Sequence, residues 1–125
     1  MRSNYQSYRK LEVWHDGVEL VAEVYRLTEA FPVRERYGLT SQIRHAAVSV
    51  PSNIAEGYGR ATRGEYLNHL SVAKGSLNEV ETLCAVCLRL GIGDEATLTE
   101  LGSRLALLQQ RLTRLRSRLV QPKRA

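Results

Sequence analysis

The stretch YGLTSQIRHAAVSVPSNIAEGYGR, residues Tyr37 to Arg60, presents Ile43, Ala46, Ala47, Val50 and Ile54 at spacings of three and four. That period puts them on one face of an α-helix. The same stretch carries Pro51 in its middle and stops at Gly57-Tyr58-Gly59. An interior proline removes one backbone hydrogen bond and crowds the preceding turn, at a cost of roughly 3 kcal/mol. A helix that holds one is expected to kink there and to gain a packing shape or a site in return. Small Ala46 and Ala47 let a neighbouring helix approach closely. Ser49, Ser52, Asn53 and Glu56 surround Pro51. A polar group buried without a partner costs about 1–3 kcal/mol. These side chains are therefore expected either to bond the carbonyl freed by Pro51 or to reach a neighbouring subunit. Together with Pro51 they form a candidate kink and assembly surface.

Three more amphipathic patterns flank this one, and no convincing strand lies between them. Leu11, Trp14, Val18, Val21, Tyr25 and Thr28 make a helical seam that ends at Phe31-Pro32, because the residue before proline avoids the α region. Thr62 and Glu65 have capping-box spacing and open a third seam of Tyr66, Leu70, Ala73, Leu77, Val80, Cys84 and Cys87. Gly91 and Gly93 stop it. Leu98, Leu101, Leu105, Leu108, Leu112, Leu115 and Leu119 form a fourth, coiled-coil-like seam closed by Pro122. The spacing predicts helices over about 11–30, 39–57, 63–90 and 96–120. Connections of a few residues force neighbours to run antiparallel, so an all-α, up-down-up-down four-helix bundle is expected. One domain accommodates all 125 residues, with the first ten and the last five or so frayed.

Charge is one-sided. All 13 acidic residues lie at or before Glu100, against 11 basic residues over the same span. From Leu101 onward there are seven basic residues and no acid. Arg104, Arg111 and Arg118 recur every seven residues, with Arg114 beside them, making a basic stripe off the leucine seam. Such a stripe suits an anionic partner such as RNA, bound through phosphates with little sequence readout. Pairing with acids of an adjacent helix or subunit is an equal use for it. Arg60 and Arg63 flank the start of the third helix, whose free N–H groups favour an anion and make this a second candidate phosphate contact. Only Tyr5 and Tyr8 stand out as loose aromatics for base stacking.

Catalytic and metal chemistry find little here. Cys84 and Cys87 form a CxxC deep inside a helix and on its apolar seam, so they read as core and not as a redox or zinc pair. His15, His45 and His69 fall on three different helices with no HExxH spacing. Gly57-Tyr58-Gly59-Arg60 lacks the strand and third glycine of a dinucleotide fingerprint, and its glycines suit a helix cap and turn. No apolar run approaches the ~18 residues that span a bilayer. The polar N-terminus lacks a secretory h-region, which makes the cytoplasm the expected location. No enzyme activity, cofactor, metal or small-molecule substrate is expected.

The run from Tyr37 to Arg44, continued by Ala46 to Gly57, resembles the signature of a bacterial four-helix-bundle family. Its members include proteins encoded in intervening sequences of 23S rRNA genes. Val13-Trp14, Tyr25 to Thr28 with Phe31-Pro32, and Gly75-Ser76-Leu77 with Glu79 and Glu81 support the likeness, which spans about residues 11–91. The resemblance implies a helical homo-oligomer, a pentamer, without established enzymatic activity. It also suggests a link to ribosomal RNA through the genetic position of some relatives. In fold and charge the chain is further similar to the accessory proteins of diversity-generating retroelements. The functional expectation is a non-enzymatic oligomeric bundle that binds RNA or a ribonucleoprotein through its basic fourth helix. The alternative is a protein-interaction scaffold whose arginine stripe forms intersubunit salt bridges.

Overall fold

A computed structural model describes residues 8–120. Residues 1–7 and 121–125, Tyr5, Pro122, Lys123 and Arg124 among them, lie outside this range together with the fraying expected there, whereas Tyr8–Lys10, included in that expectation, form a 3-10 turn. The described residues form four helices and no strand: α1 (Glu12–Thr28), α2 (Leu39–Tyr58), α3 (Arg63–Leu90) and α4 (Glu95–Val120). Two short 3-10 turns, Tyr8–Lys10 and Val33–Glu35, precede α1 and α2.

Each helix packs on its sequence neighbours, and α4 closes the bundle against α1. Residue numbers run in opposite senses across these contacts. Asn53 and Ser49 of α2 meet His69 and Ser76 of α3, while Ser71 and Asn78 of α3 meet Arg116 and Gln109 of α4. The core holds Ile43, Ala46, Ala47, Val50 and Ile54 from α2, with Leu70, Ala73, Leu77, Val80, Cys84 and Cys87 from α3. From α4 it takes Leu98, Leu101, Leu105, Leu108 and Leu112. Leu115 and Leu119 are only partly buried, so the leucine seam opens toward its C-terminal end.

The seam of α1 differs from the expected one. Val13, Gly17, Leu20, Val24 and Leu27 are its buried residues, with Thr28 at its end. Val18 and Tyr25 point outward, 44% and 43% exposed. The apolar residues of α1 cover more than one stripe, and close packing selects the one that contains Gly17. A Cβ on Gly17 would lie 3.1 Å from Pro51 Cβ and 3.3 Å from its Cα. Pro51 is thus buried against α1, and α2 continues through it. Of the five residues expected to form a kink and assembly surface, Pro51 faces the interior.

The helix ends are built as the local chemistry requires. Thr62 Oγ1 accepts from the Glu65 N–H at 3.1 Å, the first of the two capping-box bonds. Asp94 Oδ2 accepts from the Thr97 N–H and hydroxyl at 2.9 and 2.7 Å, opening α4. Gly91 ends α3 at φ +71°, and the Ile92 N–H returns to Cys87 O at 2.9 Å, a Schellman closure. Gly59 caps α2 with right-handed backbone, whereas Gly57 lies inside the helix. Gly57 serves close approach: a Cβ there would fall 2.6 Å from His69 Cβ.

Candidate nucleic-acid interface

Because contacts run in opposite senses, the start of α1, the end of α2, the start of α3 and the end of α4 meet at one end of the bundle. Arg63 Nη1 donates to Leu119 O at 3.0 Å, tying the first residue of α3 to the last turn of α4. This end gathers Arg9, Lys10, Arg60, Arg63, Arg114, Arg116 and Arg118. Its acids are Glu12, Glu56 and Glu65. At the opposite end the signs alternate, with Arg34, Glu35 and Arg36 in one loop and Arg89, Asp94 and Glu95 in the other.

The expected arginine stripe divides. Arg104 Nε lies 2.8 Å from Glu23 Oε2, and Arg111 Nη1 donates to Asp16 Oδ2 at 2.6 Å, with Glu12 at 3.5 Å. Both pairs join α4 to α1 within the chain. The hydrogen bond that Arg111 donates to Asp16 is the main cause that raises the Arg111 pKa. Burial pushes the Glu23 carboxyl up, against the opposing pull of Arg104. Arg114 and Arg118 are exposed and make no ion pair among the described residues. Arg116, one of the seven C-terminal basic residues but outside the expected stripe, donates to Ser71 Oγ at 3.1 Å.

Between α2 and α3 runs a chain of side-chain hydrogen bonds. The Ser76 hydroxyl donates to Ser49 Oγ at 2.8 Å, and Asn53 Nδ2 donates to Ser49 Oγ and to Ser49 O at 3.0 and 2.8 Å. His69 Nδ1 lies 2.9 Å from Asn53 Oδ1, and Arg60 Nε donates to His69 Nε2 at 3.3 Å. With Nε2 accepting, the Nδ1–H donates to Asn53, so the two partners fix the imidazole tautomer. Glu56 Oε1 stands 3.7 Å from the same Nδ1. The polar residues around Pro51 therefore satisfy one another and α3, and Asn53 bonds the Ser49 carbonyl, not that of Ala47 four residues before the proline. Ser52 and Glu56 remain exposed.

Aromatic rings cluster at the basic end. Tyr58 meets Tyr66 edge-on, centroids 5.7 Å apart, and Tyr8 meets Trp14 at 5.2 Å. Arg9 lies over both Tyr8 and Trp14, at 5.7 and 5.3 Å from their centroids. Tyr8, read as loose from sequence, is held in this stack. Burial lifts the Tyr66 phenol to about 12. His15 bonds Arg9 O, and His45 is exposed, so the three histidines do not converge. Among the described residues no group of His, Cys, Asp and Glu side chains could hold a metal ion. No described helix is long and apolar enough to cross a membrane.

Fold and site together define a helical bundle with one cationic, aromatic-bearing end and a seam of internal ion pairs. The pattern of the 23S rRNA-intervening sequence protein family matches residues 9–114, and the chain belongs to that family. Among solved structures it is similar to a protein with unknown function from the S23 ribosomal protein family of Bacteroides thetaiotaomicron VPI-5482. That likeness has a TM-score of 0.75 at 20% identity and covers 82% of this chain and 96% of the other, which shows the shared fold. A comparison with curated proteins gave no match.

Proposed function

We propose that this protein is a non-enzymatic, oligomeric, cytoplasmic helical bundle that binds RNA or a ribonucleoprotein through its basic end. The observation that carries the reading is the set of cations at this end, with Arg63 tied to Leu119 of α4 and with Arg60, Arg114 and Arg118 exposed. Arg104 and Arg111 contribute less, since Glu23 and Asp16 already compensate their charge. Phosphate neutralisation by the remaining cations makes affinity fall steeply with salt. Family membership supports the choice of RNA as the polyanion.

Exposed Val18 and Tyr25 on α1, with Val48 on α2, favour contact between copies of the chain, and the family resemblance suggests a pentamer. Light scattering of a Val18→Lys/Tyr25→Lys variant tests this, with a drop to monomer mass expected. For RNA, the test is titration with structured ribosomal RNA fragments at two salt concentrations. Replacing Arg60, Arg63, Arg114 and Arg118 by Gln should weaken binding and flatten its salt dependence. Absence of binding at low salt, or binding indifferent to these replacements, overturns the proposal. If the replacements instead dissolve the oligomer without touching RNA affinity, the arginines act between subunits.

A further inference from the structure

The hydrogen-bonded chain from Ser76 to Arg60 ends at the surface on a guanidinium whose Nε is tied to His69. Ser76 is buried, Ser49, Asn53 and His69 are half-buried, and Arg60 is exposed. Arg60 uses Nε on His69, and neither of its Nη groups makes a hydrogen bond or ion pair among the described residues. A charged fork fixed by its neighbours loses less freedom on meeting an oxyanion than a mobile one. A hollow of about 360 Å³ opens beside it, lined by Arg60, Gly64, Glu65, Asn68 and His69. The Glu65 carboxylate at this hollow disfavours a free phosphate dianion more than a singly charged phosphodiester.

Two residues before Arg60 stands Tyr58, 37% exposed. Its edge-on contact with Tyr66 occupies at most one face of the ring. Tyr66 and His69 both border Gly57, within 3.1 and 2.6 Å of where a Cβ would sit. Ring, hollow and the arginine tied to His69 therefore lie around one turn at the α2–α3 junction. A tyrosine face beside a phosphate-binding cation is the arrangement that holds unpaired nucleotides, because every base offers a π-face while a duplex hides it.

We propose that Tyr58 stacks an unpaired RNA base while Arg60 and the adjoining hollow take its phosphodiester, so that the protein selects looped or single-stranded RNA over duplex. This rests on the RNA reading above and deepens it. The experiment compares an RNA hairpin with an unpaired loop and a fully paired duplex of equal charge, using wild type, Tyr58→Phe, Tyr58→Leu and the Arg60/Arg63/Arg114/Arg118→Gln variant. A 2-aminopurine base in the loop reports stacking directly through quenching of its fluorescence. Wild type and Tyr58→Phe should prefer the hairpin and quench the probe. Tyr58→Leu should lose roughly ten-fold in hairpin affinity and most of the quenching, with duplex binding unchanged.

Quenching and affinity that survive Tyr58→Leu overturn the stacking proposal. So does equal binding of hairpin and duplex by wild type; if the arginine variant then loses both, RNA binding stands without stacking. Failure of wild type to bind either RNA at low salt removes both readings together. Thermal melting of each variant confirms that the bundle is folded at the temperature of the titration.

Discussion

Gly17 of α1 packs face to face with Pro51 of α2, so close that a single added Cβ would sit 3.1 Å from the proline Cβ and 3.3 Å from its Cα. Pro51 cannot donate to Ala47 O, yet it remains in the interior of a 20-residue helix. Its ring is buried where α1 offers no side chain, which gives the proline a packing role that offsets part of the lost hydrogen bond.

The first prediction concerns that contact. Alanine in place of Gly17 gains helix propensity of about 1 kcal/mol but presses on a rigid ring and its backbone. The pressure wins, and Gly17→Ala should lower the unfolding free energy by about 1 kcal/mol, read from urea denaturation. An increase in stability would show that α1 and α2 separate without strain.

This contact also explains what the sequence could and could not reveal. The seams of α2, α3 and α4 were legible because their core positions hold an unbroken three-and-four spacing, above all the leucines of α4. In α1 the apolar positions Val13, Trp14, Val18, Leu20, Val21, Val24, Tyr25 and Leu27 admit more than one stripe. What chooses between them is a glycine, which carries no hydropathy signal. The candidate site was legible as a set of arginines and not as a surface. Asp16 and Arg111 are 95 positions apart, so no local pattern announces that they pair. Likewise nothing near Arg60 in sequence points to Ser76 at the far end of its hydrogen-bonded chain.

A second prediction contrasts glycines. At Gly57 a Cβ would meet His69 Cβ at 2.6 Å and Tyr66 Cδ1 at 3.1 Å. Gly57→Ala must push α2 and α3 apart and should cost about 3 kcal/mol. Gly75 and Gly102 sit in helices with nothing within 4 Å of the same position. Alanine at either should stabilise by about 0.5–1 kcal/mol. Thermal melts of the three variants should rank Gly57→Ala far below wild type and the other two above it. Any other order breaks the account of which glycines the bundle needs.

A third prediction separates core thiols from reactive ones. Cys84 and Cys87 are free and buried. Burial pushes the Cys84 thiol to about 12 and raises that of Cys87. A thiolate reagent at pH 8 should therefore label neither residue in the folded protein, and labelling should rise in step with denaturant-induced unfolding. Rapid native labelling of either cysteine would contradict their place in the core.

The fourth prediction is a pair of opposed pH effects. The Thr97 N–H and hydroxyl hold the Asp94 carboxyl below its ordinary 3.8. Its folded pKa is depressed, so its stabilisation is present above the unfolded value and is lost as pH falls through the folded one. Glu23 is the reverse case: burial raises it above 4.5 despite Arg104. Its protonated form suits the fold, so that contribution is present below 4.5 and is lost as pH rises through the raised folded value. Urea denaturation across the acid range should then show the gap between wild type and Asp94→Ala narrowing as pH falls below about 4. For Glu23→Gln, wild type should gain on the variant as pH descends through the window just above 4.5. Parallel pH profiles for all three proteins would mean that neither carboxyl is coupled to folding, and the cap at α4 and the burial of Glu23 would lose their energetic role.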